Sequence, residues 1–362
     1  MTTAASVARD IRCVSCLTKF RWAGGSLFQR SGRIFKEIEI PQGADDVQRR
    51  MSMQGAFIRC PNIINQKPHH FPVDFARYED PIVIGFIGGS QTGKSCLLAA
   101  ITGEIELGRL APYGLLSRPA NMDEHSAYRE SIVDPFYDKR QSPGHTAVES
   151  DLAQYADAFL ITSTRTDKTY PLVFFDVNGD SLRGLRDNLQ AVRFLSVVNG
   201  LIFVVDPDLA GGSSRMRLGD PTYTATVASL RVVHDVPVAR MKIPAALAVT
   251  KSDMVRFAPP VDRWLNLPAP PDGTIDAARV YAESRDAYAF LKHRDASPWL
   301  DPVNQFERCT LHFVSASGVG YDAEKNTFAR PVRPRRVLDP LVSLLAMIRV
   351  IDDKVVGERI GF

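Results

Sequence analysis

Residues 88–95 read Gly88-Gly89-Ser90-Gln91-Thr92-Gly93-Lys94-Ser95, and the segments on either side have opposite character. Residues 81–87 form a short unbroken apolar run, the pattern of a strand buried on both faces. Residues 95–101 read as the first turns of a helix. A Gly-x-x-x-x-Gly-Lys-Ser turn between such a strand and helix is a phosphate-binding loop. Its glycines let the backbone curl until successive N–H groups face phosphate oxygens, and the helix N-terminus adds partial positive charge. Lys94 is placed to reach the β- and γ-phosphates, and the Ser95 hydroxyl to complete the shell of a Mg²⁺ ion. Residues Gly88 through Ser95, with Cys96 on the first helical turn, are therefore the expected nucleotide contacts.

Later segments narrow the choice of base. Residues 170–180 are a second buried strand ending in Asp176-Val177-Asn178-Gly179. Asp176 can hold Mg²⁺ through a water, and the Gly179 amide can approach a γ-phosphate because glycine admits close backbone contact. Residues 201–206 are a third buried strand. A fourth, residues 245–249, ends in Thr250-Lys251-Ser252-Asp253. A carboxylate at Asp253 can accept hydrogen bonds from the N1–H and the amino group of guanine, a pair that adenine does not offer. The Lys251 stem can lie over the base plane. Residues 311–318 are a last strand ending in Ser315-Ala316-Ser317, where the amide near Ala316 would meet the guanine O6. Each later motif is weak alone; their order after the phosphate loop is informative.

With these motifs in place the chain resembles the Ras-like, translation-factor-related class of P-loop GTPases over about residues 81–355. The resemblance implies an α/β fold, a Ras-like P-loop domain with a mostly parallel central sheet. It also implies GTP or GDP with Mg²⁺ as ligands, and GTP hydrolysis by positioning and charge stabilisation. Two positions depart from the class. Thr250 stands where an Asn usually braces the phosphate loop, and a hydroxyl can partly replace that amide. Asp180 stands where many hydrolysing relatives carry Gln; it can orient the attacking water, but its charge would lie near the γ-phosphate and slow turnover. The long segment at about residues 105–155 should hold the first switch. It is expected to contain a helix over 123–139, followed by an edge-type strand over 158–164. Its Mg²⁺-binding switch threonine is assigned to Thr146, with Thr162, Thr164 and Thr166 read as sheet residues. The catalytic set so implied is Lys94, Asp180 and Thr146; the Mg²⁺ set is Ser95, Thr146 and Asp176. The layout is also similar to bacterial double-GTPase families of conflict and defence systems, which implies a regulatory switch with a protein effector or activator. The alternatives are a pseudo-GTPase adaptor that holds nucleotide without turnover, and a P-loop ATPase, against which residues 250–253 argue.

Residues 1–80 read as a small zinc-ribbon-like unit ahead of the nucleotide domain at 81–362. Cys13 and Cys16 have the two-residue gap that lets two thiolates grip one Zn²⁺, and Cys60 offers a third sulfur. The fourth ligand is expected to be His69 or His70. The competing reading is a ribbon remnant without metal. A redox Cys-x-x-Cys is disfavoured because no strand-helix context precedes it.

Composition sets the remaining bounds. The chain has 362 residues, of which 45% are hydrophobic, enough for a sizeable core. A formal charge of +3 is too near neutral to argue for nucleic acid. There is no apolar signal core at the start and no stretch long enough to span a bilayer. Five cysteines, an odd number, point to a reducing cytoplasm. Cys96 and Cys309 read as inert core residues. Residues 211–217 form a loop that is either solvated or supplies an arginine to the phosphate. Residues 254–306 are an insertion with a helix over 274–292, flanked by Trp264 and Trp299, serving as a partner surface or a lid. Residues 330–336 read as a basic extended linker, and residues 338–356 as a final helix with an apolar core stripe.

Overall fold

The computed structural model describes residues 9–22, 26–31, 34–41, 43–64, 67–143, 153–177, 189–210, 220–236, 239–268, 270–322, 324–325 and 327–351. Near the start, β1 (Arg9–Arg12) and β2 (Lys19–Trp22) pair antiparallel. The strands β3 (Leu27–Ser31), β4 (Ile34–Ile38), β5 (Phe57–Ile64) and β6 (Lys67–Pro72) make an antiparallel sheet in the order β4-β3-β5-β6, with α1 (Asp46–Met53) between β4 and β5.

The central sheet uses β7 (Ile82–Ile87), β8 (Leu115–Pro119), β9 (Ala153–Ser163), β10 (Thr169–Val177), β11 (Gly200–Val205), β12 (Ala245–Val249) and β13 (Cys309–Phe313). Its order is β13-β12-β11-β7-β10-β9-β8. The first five in that order run parallel; β9 is antiparallel to β10, and β8 to β9. Every residue of β7, β11, β12 and β13 is buried, as parallel strands covered on both faces must be. This mixed α/β, mostly parallel seven-stranded sheet is consistent with a Ras-like fold.

Alternation along β7 divides the core. Ile82, Ile84 and Phe86 join one apolar cluster, with Leu97, Leu98 and Ile101 of α2 (Lys94–Glu106). Val83 and Ile87 join the other, with Phe194 of α5 (Leu189–Val197) and Leu230 of α7 (Pro221–Val233). The intervening helices are α3 (Met122–Tyr128), α4 (Asp134–Tyr137) and α6 (Pro207–Ala210). Later come α8 (Val261–Leu265), α9 (Ala277–His293), α10 (Asp301–Gln305) and α11 (Asp339–Met347). The second cluster also takes in Ile11, Cys13, Cys16, Cys60 and Phe71, so the N-terminal strands share one continuous apolar body with the central sheet.

Several segment expectations change. The strand expected at the edge over 158–164 lies inside the sheet as β9, because Ala158–Ile161 is buried and pairs on both sides; β8 is the outer strand. The helix expected over 123–139 is α3 and α4 joined by a π turn, Arg129–Val133. Trp264 and Trp299 are buried, so these two residues of the insertion pack inward. Arg336 is part of a buried ion-pair network, so the end of the basic stretch is not a free linker. The last helix closes at Met347, and residues 352–362 lie outside the described residues. Cys309 is buried as expected, whereas Cys96 is half-buried with its Sγ 3.6 Å from Ser142 Oγ.

One buried charge group ties α2 to the long segment that follows it. His125 Nε2 lies 2.7 Å from Glu106 Oε1 at the end of α2, and Nδ1 lies 2.8 Å from Asp157 Oδ2 on β9. Burial alone would depress the imidazole, but the two carboxylates push it up to about 9. The folded value therefore exceeds the unfolded one of about 6.5. The resulting stability is complete below about pH 6.5 and lost as pH rises through about 9. Denaturant unfolding across that window should show wild type losing on the order of 2–4 kcal/mol. His125→Gln should start lower and show a flatter pH dependence; parallel curves would refute the clamp.

Candidate nucleotide site and cysteine–histidine cluster

The loop between β7 and α2 is shaped by close packing. A Cβ on Gly88 would lie 3.0 Å from the Val204 carbonyl oxygen, so this glycine lets the loop rest directly on β11. Gln91 and Gly93 have φ of +65° and +86°, and Gly93 is the N-cap of α2. The Thr92 hydroxyl donates to the Gly89 carbonyl at 3.0 Å, closing the turn. Ser90 and Gln91 form the exposed crest, while Gly93, Lys94, Ser95 and Cys96 are half-buried. The first amides of an α-helix have no acceptor within the helix, so this turn is suited to an anion.

Lys94 Nζ donates to the Val177 carbonyl at 2.7 Å and lies 2.6 Å from Asp176 Oδ1 at the end of β10. The two charges expected to meet phosphate and Mg²⁺ are thus adjacent. The Thr250 Oγ lies 2.6 Å from the Thr92 carbonyl and 3.0 Å from that of Val205. A hydroxyl has one proton, so this brace on the phosphate loop is a single shared bond.

The carboxyl ends of β12 and β13 bring the base-reading candidates together. Lys251, at φ +49°, places its Nζ 2.6 Å from Asp206 Oδ2. Asp253 is 4% exposed, and its Oδ1 accepts the Ser315 hydroxyl at 2.5 Å. Its Oδ2 is buried and has no hydrogen-bond partner among the described residues. A buried acceptor of this kind is costly unless something donates to it, and a guanine edge has the matching donors. Ala316 is buried beside them. The candidates line the carboxyl ends of β7, β10, β12 and β13, where ligands of open α/β sheets bind. Thr146, Gly179 and Asp180 lie outside the described residues, as do 211–217.

Two contributors were not singled out by motif. Asp220 caps α7 by accepting from the Thr222 amide at 2.8 Å, and accepts from the Gly89 amide at 2.6 Å. The Asp220-Pro221 pair signals a helix start in the sequence; its contact with the loop depends on tertiary structure. Asp206 reads as a strand end and proves to be the partner of Lys251.

A second site lies in the N-terminal strands. Ligand atoms of Cys13, Cys16, Cys60 and His69 all fall within 4.8 Å of one another. Cys16 and Cys60 sulfurs are 3.6 Å apart, and Cys13 Sγ is 3.6 Å from His69 Nδ1. Zinc bonds of ~2.3 Å to sulfur and ~2.0 Å to nitrogen give tetrahedral edges of about 3.5–3.8 Å, which those two separations match. His70 is elsewhere: its ring stacks on Phe35 at 4.0 Å. Hydrogen bonds from Cys13 and then Cys60 hold the Cys16 thiol well below its ordinary range, while the same contacts raise Cys13. Three sulfurs and one imidazole nitrogen within reach of one another are a donor set suited to a cation.

No protein-family profile matches the chain, and no curated protein matches it. Solved structures do. A bacterial selenocysteine-specific elongation factor is 16% identical over 66% of this chain, with a TM-score of 0.27. This chain spans 26% of that factor's length. The small COPII coat GTPase Sar1 from Encephalitozoon cuniculi, in complex with GDP, is 12% identical over 74% of this chain and 81% of its own, at 0.29. The signal recognition particle receptor SRb–GTP/SRX complex from Chaetomium thermophilum is 17% identical over 68% and 96%, at 0.32.

Elemental analysis of purified protein should find about one zinc per chain. Cys60→Ser and His69→Ala should lose the metal, and His70→Ala should retain it. Metal-free wild-type protein of unchanged stability would leave the cluster as a ribbon remnant.

Proposed function

We propose that this chain is a GTP-binding regulatory switch that hydrolyses GTP slowly and reports its nucleotide state to a protein partner. The observation that carries the reading is the buried Oδ2 of Asp253, without a partner among the described residues, on a carboxylate whose Oδ1 accepts from Ser315. The loop residues 88–95 would cradle the phosphates, with Lys94 neutralising their charge. Ser95 and Asp176, joined by Thr146, would hold Mg²⁺, which supplies further charge neutralisation. Thr250, Lys251, Asp253, Ser315 and Ala316 would read the base. Asp180 would orient the attacking water, and its repulsion by the γ-phosphate accounts for slow turnover without an activating arginine.

The proposed organisation is a zinc-bearing unit over 1–80 and a nucleotide domain over 81–362, with insertions at about 105–155 and 254–306. Zinc would be structural, since a unit so small buries little core. Among the described residues no helix is long and apolar enough to cross a membrane. The odd cysteine count supports a cytoplasmic setting. The motif order shared with double-GTPase families supports a place in a bacterial conflict or defence system.

Lys94→Ala and Ser95→Ala should weaken GTP binding by about 100-fold or more in calorimetry, the scale of losing charged hydrogen bonds to phosphate. Asp253→Asn should shift preference from GTP toward XTP, because an amide donor then faces the base where xanthine has a carbonyl. Equal wild-type affinity for ATP and GTP would sink the guanine reading. Single-turnover hydrolysis by Thr146→Ala and Asp180→Ala tests the switch; unchanged rates in both would place it elsewhere.

A further inference from the structure

Beneath the loop that carries Ser315 lies a buried network that the proposed reaction does not use. Arg336 has φ +57°, uncommon for a side chain of its size. All of its donors are engaged. Nε reaches Asp339 Oδ2 at 2.8 Å, and one terminal nitrogen reaches the Trp264 carbonyl at 2.9 Å and Glu283 Oε1 at 2.8 Å. The other reaches Glu283 Oε2 at 2.7 Å and Asp339 Oδ2 at 2.5 Å. The Glu283 carboxylate, 1% exposed, also accepts the Phe313 amide at 3.0 Å and faces His312 Nδ1 at 3.3 Å. The far side of that imidazole meets Ser343 Oγ at 3.1 Å. Glu283, His312 and Asp339 have the composition of a metal site, but the Arg336 guanidinium already bonds both carboxylates. A planar five-donor fork fills this role, and lysine would not.

The network grips the base-reading strand end from two directions. Glu283 holds the backbone at Phe313, two residues before Ser315. Arg336 fixes the neighbouring Arg335, whose backbone pairs with Ser315 through two hydrogen bonds, at 3.0 and 2.8 Å. Ser315 Oγ in turn accepts the Gly318 amide at 2.8 Å, which directs its single proton to Asp253. Gly318, at φ +68°, comes so close to the Arg333 carbonyl that a Cβ would lie 2.2 Å from that oxygen. Each step in the chain from Arg336 to Asp253 is therefore geometrically constrained.

We propose that Arg336 and Glu283 are positioning residues for guanine selection, acting through Ser315 on the Asp253 carboxylate. The inference rests on the guanine reading above. It assigns α9, within the 254–306 insertion, the task of stiffening the base site. A low-dielectric ion pair resists displacement more than a neutral contact does, so Asp253 is held ready for two donors at once.

The test measures Kd for GTP, ITP and ATP with purified full-length wild type, Glu283→Gln and Asp339→Asn. ITP keeps N1–H and lacks the amino group. Glu283→Gln should shrink the advantage of GTP over ITP by about tenfold, as for disturbing a charged buried hydrogen bond, with ATP affinity held within about twofold. Asp339→Asn, at a partly exposed carboxylate, should shrink it less. It decides the matter by the same ratio if Glu283→Gln does not fold. Variants that melt at lower temperature but keep the wild-type GTP-to-ITP ratio would reduce the network to packing and overturn the proposal alone. Wild type with no preference for GTP over ATP would instead overturn the guanine reading, and this inference with it.

Discussion

The contact of Gly88 with the backbone of β11 sets the geometry of the whole carboxyl end of the sheet. Because no side chain intervenes, the loop drops onto the Val204 carbonyl before it rises into α2. That position brings Thr92 within reach of the Thr250 hydroxyl, and Gly89 within reach of Asp220. Two strands and one helix thereby converge on a single turn. Lys94 follows at the start of α2, where it meets the end of β10. A larger residue at 88 would lift the loop and disturb each of these contacts together.

The strands of the central sheet were legible because parallel strands covered on both faces need unbroken apolar runs. Residues 82–87, 200–205 and 245–249 show this plainly. What was not legible is pairing across distance. Nothing in residues 158–164 says that residues 115–119 will cover their free edge, so β9 read as an edge strand. The alternative of His69 or His70 stayed open for a related reason. Neighbours on a strand face opposite sides, and only the register of β6 against β5 decides which faces the cysteines.

The candidate site divides in the same way. Lys94 and Asp253 stood out because few residue types perform their chemistry at those spacings. Asp206, Asp220, Glu283 and Arg336 escaped notice because each acts through a partner between 30 and 131 residues away. The departure at Thr250 was visible, and the structure shows its physical content: one hydroxyl serving two carbonyls where an amide has two donors.

The continuity of the apolar cluster from Ile11 through Phe71 to Val83 and Val173 has a practical bearing on dissection of the chain. A cut near residue 80 would divide residues that belong to one apolar cluster. Hydrophobic surface on both sides of the cut would meet water, an invitation to aggregate. Cys13, Cys16 and Cys60 are members of that same cluster. The described N-terminal strands thus supply part of the same apolar body that the central sheet needs.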